Sequence, residues 1–91
     1  MKYLRKELRR EMFCRYIRID KMIKEKGFPN TTKIARELEV SIPTVSRDIE
    51  ALRRIYGAPI EYSREKNGYY YSKQFTEFDR FHKMQEKACS F

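Results

Sequence analysis

Asn30 to Tyr56, NTTKIARELEVSIPTVSRDIEALRRIY, holds the pattern that decides the fold. Ile34, Ala35 and Leu38 fall on one face at helical spacing, and Val45, Ile49 and Leu52 repeat the pattern at i, i+4 and i+7. Only Glu39, Val40 and Ser41 separate the two runs, which leaves room for a sharp corner with Val40 in its angle. Ser41 is placed to cap the second helix with its hydroxyl, and Thr31 or Asn30 to cap the first. Pro43 in the first turn sacrifices no hydrogen bond, because those N–H groups have no partner inside the helix. Small Ala35 lets the helices approach closely. The shape implied is a helix-turn-helix.

At about 100° per residue from Val45, the second helix leaves Pro43, Arg47, Glu50 and Arg54 facing away from the core, flanked by Thr44, Ser46 and Ala51. A small, polar helix start carrying one arginine suits insertion into a DNA major groove, where short side chains permit close approach and arginine reaches a guanine edge or a phosphate. The same residues would also make an ordinary solvated helix face.

Working outward, residues 58–73 change period. Ile60-Glu61-Tyr62-Ser63 and Tyr69-Tyr70-Tyr71-Ser72 are β-prone runs joined by Arg64 to Gly68, with Asn67-Gly68 expected to supply positive φ. This hairpin directly after the second motif helix is a wing. Ile60 and Tyr62 share a face, as do Tyr69 and Tyr71, so an aromatic side can lie on the helices. The tip residues Arg64, Lys66 and Asn67 would reach phosphates or a minor groove. Before the motif, Leu8, Met12, Tyr16, Ile19 and Ile23 form an apolar stripe, widened by Phe13, Ile17 and Met22, which predicts a helix closed by Gly27 as a C′ residue. The part before Phe13 is surplus to a three-helix core; Leu4 and Leu8 extend the stripe there. After the wing, Thr76 with Asp79 is a helix-start signal, with Phe78, Phe81 or His82, Gln85 and Ala88 on one face. That tail, rich in phenylalanine from Phe75 to Phe91, is expected to pack on the core or, preferentially, on a second subunit. The divisions are thus a basic helical extension at 1–14, a winged helix-turn-helix at 15–73, and a C-terminal helix or tail at 74–91. The fold class is mainly α with a small β-hairpin: a three-helix core plus wing, with an extra C-terminal helix foreseen.

The 91 residues carry a net charge of +8, with ten Lys/Arg and four Asp/Glu in residues 1–26, so most of the excess precedes the motif. Such a balance favours a polyanion, nucleic acid first and an anionic membrane surface second. No apolar run spans a bilayer and no signal peptide opens the chain. Cys14 and Cys89, far apart in sequence, read as reduced thiols of a cytoplasmic protein. A zinc site would need more ligands than Cys89 and the single histidine, His82. No paired carboxylates with a pocket, nucleophile with a base, or phosphate-cradling glycine loop occurs; no enzyme, cofactor or metal is expected.

Taken in order, Ile19-Asp20…Ile23, Phe28-Pro29-Asn30, Leu38-Glu39-Val40-Ser41, Arg47-Asp48-Ile49…Leu52, Ala58-Pro59-Ile60 and Gly68-Tyr69-Tyr70-Tyr71 resemble the N-terminal winged-helix domain of WYL-domain bacterial transcriptional regulators and, more loosely, DeoR-type regulators. The resemblance covers Arg15 to Tyr71. It implies sequence-specific binding of double-stranded DNA in transcription control, of repressor type, with Arg47 at the family's recognition-helix arginine. Pro43-Thr44 replaces a frequent Arg-Thr, and Ser46 stands where the family often has an aromatic or polar group, so the operator does not transfer from relatives. The chain ends shortly past the wing, before the family's sensor domain; it reads as a fragment or a small stand-alone regulator, and small-molecule sensing is not expected. Expected DNA contacts are Thr31, Thr32, Ser41, Pro43, Thr44, Ser46, Arg47, Glu50, Arg54, Arg64, Lys66 and Asn67, and the expected unit is a homodimer. The competing class is a winged-helix protein-interaction module that touches no nucleic acid, with RNA or single-strand binding through the wing behind it.

Overall fold

The apolar stripes fold as three helices and a hairpin: α1 (Lys2–Lys24), α2 (Thr31–Leu38), α3 (Ile42–Tyr56), β1 (Ile60–Ser63) and β2 (Gly68–Tyr71), followed by a 3-10 turn at Asp79–Phe81. This computed structural model describes residues 2–25 and 27–82, with side chains from Arg10 onward. The expected winged helix-turn-helix is the observed architecture. Leu4 and Leu8, and the tail positions Gln85, Ala88, Cys89 and Phe91, lie outside the described side chains.

Tyr16, Ile17, Ile19 and Ile23 of α1 meet Ile34, Ala35 and Leu38 of α2 and Val45, Ile49 and Leu52 of α3 in one buried cluster. Each fully buried aliphatic chain of this kind contributes about 1.5–3 kcal/mol over its exposed state. Met12, expected in the α1 stripe, is exposed instead. Asn30 caps α2 by accepting from Lys33 N–H at 2.8 Å. The corner is made by Glu39 in the left-handed region (φ 57°), with Val40 N–H donating to Ala35 O at 3.0 Å. Ser41 caps α3 by accepting from Thr44 N–H, and Gly57 (φ 66°) closes it.

Gly27 does not end α1 as a left-handed C′ glycine. The helix stops at Lys24, and the positive φ in this connection falls on Phe28 (φ 49°). The reason lies across the molecule. Tyr69 N–H donates to Pro29 O at 2.9 Å, which pins β2 to the α1–α2 connection. Gly68 sits so close that a Cβ there would lie 1.7 Å from Phe28 O. In the wing loop only Asn67 has positive φ (58°); Gly68 is needed for close approach, not for a left-handed turn. The strands pair antiparallel with Ile60 opposite Tyr71 and Tyr62 opposite Tyr69. Their shared face packs on the helices only at its base: Ile60 is buried, Tyr71 and Tyr69 are half-buried, and Tyr62 is exposed.

The tail, as far as His82, returns to its own core. Phe75 and Phe78 are buried, and the Phe78 ring lies edge-on to Phe13 (5.7 Å between centroids), Tyr56 (4.9 Å) and Phe75 (5.8 Å). The preference for a partner subunit as their cover is therefore corrected. These rings had an apolar slot to fill between α1 and α3. Of the helix expected from Thr76, the described residues form only the Asp79–Phe81 turn. Cys14 is also corrected: it is buried and disulfide-bonded, not a reduced thiol. Sequence separation carries no information about distance once a chain returns on itself, as Phe81 does to Phe13 (5.2 Å). Cytosolic chains seldom keep such bonds, so Cys14 lends no support to a reducing compartment.

Candidate nucleic-acid interface

The helix that would read DNA is held from behind. Val45, Ile49 and Leu52 bury one side of α3 against α1 and α2. Beside them Asp48, only 3% exposed, accepts from Arg15 Nε at 2.6 Å and from its terminal nitrogen at 3.1 Å. This fork, made of two parallel charge-assisted bonds, fixes the rotation of α3 about its own axis as well as its distance from α1. The Arg15 pKa is raised, first by this hydrogen bond and against the cost of burial. Arg18 adds a bond to Glu37 O at 3.3 Å, tying α1 to the end of α2.

With that side fixed, Ser41, Pro43, Ser46, Arg47, Glu50 and Arg54 are exposed, and Thr44 is half-buried. Ser41 Oγ is engaged twice, with Thr44 N–H at 3.3 Å and Thr44 Oγ1 at 2.9 Å, so its first duty is the cap. Glu50 lies 3.7 Å from Arg53, whose Nε donates to Ile60 O; Arg53 thereby links α3 to the wing. On the first turn of α2, Thr32 is exposed and Thr31 half-buried. Among the described residues Arg36, Arg47, Arg54 and Arg64 form no ion pair, so their charge is available to a polyanion. By contrast Arg15 and Lys24, part of the basic α1, are spent on internal carboxylates.

The wing-tip residues Arg64, Lys66 and Asn67 are all exposed but differ in freedom. Asn67 Oδ1 accepts from Tyr62 OH at 2.5 Å, and the Lys66 ammonium sits 5.7 Å over the Phe28 ring. Arg64 alone of the three has a side chain in no hydrogen bond, ion pair or ring contact among the described residues. The structure thus groups the α3 positions on one face and sets the wing residues apart on a second element.

Sequence reasoning missed three things here. Ile42, first residue of α3, is 46% exposed beside Pro43. Arg36 adds a charge on α2 that forms no ion pair among the described residues. Behind the wing, fully buried Asp20 accepts from Tyr71 OH at 2.5 Å, lies 2.8 Å from His82 Nε2, and is 3.2 Å from the Lys24 ammonium, which also pairs with Asp79. Burial, then the bond to Asp20, drives the Tyr71 pKa upward. Oxygen and nitrogen atoms of Asp20, Asp79 and His82 come within 4.8 Å of one another, but the Lys24 ammonium already pairs with both carboxylates. This cluster welds α1, β2 and the tail and so positions the wing. The spacing of Asp20 and Lys24, i and i+4, was its only sequence signal.

Among the described residues no helix is long and apolar enough to cross a membrane. A family model described as an HTH domain matches residues 15–70. No curated protein and no solved structure gives a significant match to the chain.

Proposed function

The chain belongs to the HTH domain family, and from that premise we propose that it binds double-stranded DNA sequence-specifically to regulate transcription, as a repressor-type regulator of the bacterial cytoplasm akin to WYL and DeoR-like proteins. The observation that carries this reading is the two-sided nature of α3. One side is locked to α1 by the Arg15–Asp48 fork and three buried aliphatic residues, while the other offers Arg47 and Arg54, in no ion pair among the described residues, beside Pro43 and Ser46. Helix α3 enters the major groove; Thr31, Thr32, Ser41 and Thr44 lie along the phosphates; Arg64 of the wing reaches the backbone alongside. Glu50, facing the same way, is suited to accept from a cytosine amino group. One such helix reads few base pairs, so the working unit is a homodimer on two half-sites about one helical turn apart.

Selection of bound sequences from a random duplex pool tests the whole reading. A two-part site should emerge, and affinity for it should fall steeply with salt, each phosphate contact adding about 0.9 to the log–log slope. Recovery of unselected sequence would remove the sequence specificity, and the absence of any salt-dependent duplex binding would leave the winged helix as a protein-interaction module instead.

A further inference from the structure

We propose that Ile42 is a specificity residue that reads thymine through its C5-methyl group, which makes the preferred site thymine-bearing where the first turn of α3 meets the groove. The inference rests on the DNA reading above and adds the chemistry of one base. Ile42 opens α3, directly after the Ser41 cap, and nearly half of its surface is exposed. Its backbone place is a poor one for stability alone. Acidic residues are what a helix start prefers, and the first turn of α3 holds none. The core does not claim it: Val45, Ile49 and Leu52 belong to the buried cluster, and Ile42 is neither in it nor packed against it.

What surrounds Ile42 narrows the occupant. Pro43 is exposed next to it and carries no N–H to donate, and Ser41 and Ser46 are short. The leading tip of α3 therefore has an apolar knob with small neighbours, which permits close approach to the groove floor. Arg47 and Arg54, further round the helix on one flank and in no ion pair among the described residues, complement phosphates on that side. In the major groove the apolar feature that a base edge presents is the thymine methyl; the other edges present hydrogen-bond donors and acceptors that isoleucine cannot satisfy. Burying one methyl-sized group against Ile42 corresponds to about fourfold in affinity, the conversion of ~0.8 kcal/mol.

The test uses the full chain and its selected duplex, with each thymine replaced singly by deoxyuridine, which removes the methyl and nothing else. One or two replacements facing α3 should weaken binding about fourfold for the native protein and leave Ile42→Ala indifferent, with Ile42→Val keeping part of the discrimination. Each variant is compared with itself on two duplexes, so a change in folded fraction cancels. A selected site on which every replacement is silent, or on which the loss persists undiminished in Ile42→Ala, overturns this inference and leaves DNA binding standing. A pool that yields no preferred sequence overturns the sequence-specific reading and this inference together.

Discussion

Arg15 of α1 grips Asp48 of α3 through two hydrogen bonds, and Asp48 is the direct chain neighbour of Arg47, which is exposed. The buried carboxylate and the outward guanidinium are thus consecutive residues on opposite duties. Removing Arg15 alone should strand an almost wholly buried charge. Arg15→Ala is expected to lower stability by about 2–4 kcal/mol, near the usual range for a broken buried pair given that the Arg15 side chain keeps some exposure. The double variant with Asp48→Ala should lose clearly less than the sum. Urea melts of the four proteins measure this; strict additivity would mean that the fork contributes nothing.

Arg47→Ala should leave the melt unchanged and reduce affinity for the selected duplex by about 1–3 kcal/mol. The residue is exposed and has no internal partner among those described, so folding has nothing to lose. A folded variant with native affinity would remove Arg47 from the interface.

The three glycines should respond differently to alanine. At Gly68 a Cβ would meet the Phe28 carbonyl at 1.7 Å, so the wing must shift off the α1–α2 connection. A loss of about 3 kcal/mol, the upper range for overpacking, is expected. Gly57→Ala, in open space but at φ 66°, should lose about 1 kcal/mol. Gly27→Ala, in open space without positive φ, should be neutral or stabilising by up to about 1 kcal/mol. Thermal melts rank the three, and a tolerated Gly68→Ala would contradict the close approach.

Phe78→Ala is expected to destabilise by about 3–5 kcal/mol, because Phe13, Tyr56 and Phe75 would then line a void. A chain ending at Ser72 should accordingly lose stability and not merely change its state of association. Sedimentation and a melt of that truncated chain separate the two; a truncation that melts like the full chain would return the tail to the role of a partner surface.

Stability should decline above about pH 10 in a way that Tyr71 partly controls. Burial and the bond to Asp20 raise its folded pKa, so the folded state keeps a proton that the unfolded chain releases near the ordinary value of about 10. The contribution is complete below that pH and is lost as pH rises through the window above it, at up to about 1.4 kcal/mol per unit. Tyr71→Phe should be less stable at pH 7, having lost the hydrogen bond, yet lose stability less steeply between pH 10 and pH 12. Equal alkaline slopes in urea melts would rule this out.

The helix-turn-helix was written in residues 30–56 alone. Caps, a proline at a harmless place, and two apolar faces at helical spacing are local devices, and local devices survive translation from sequence to structure. The outward set on α3 followed from the same periodicity, because fixing the buried Val45, Ile49 and Leu52 fixes what faces away. Only tertiary structure decided the rest. That Asp48 is held by Arg15, that Asp20 gathers Tyr71 and His82, and that Gly68 exists for Phe28 are meetings of residues 33 to 62 positions apart. The fate of the phenylalanine tail belongs with these. Apolar rings announce that they will be buried, but which surface buries them depends on a slot that exists only after α1 and α3 have packed. Periodicity specifies a face; the partner of a face is a property of the assembled core.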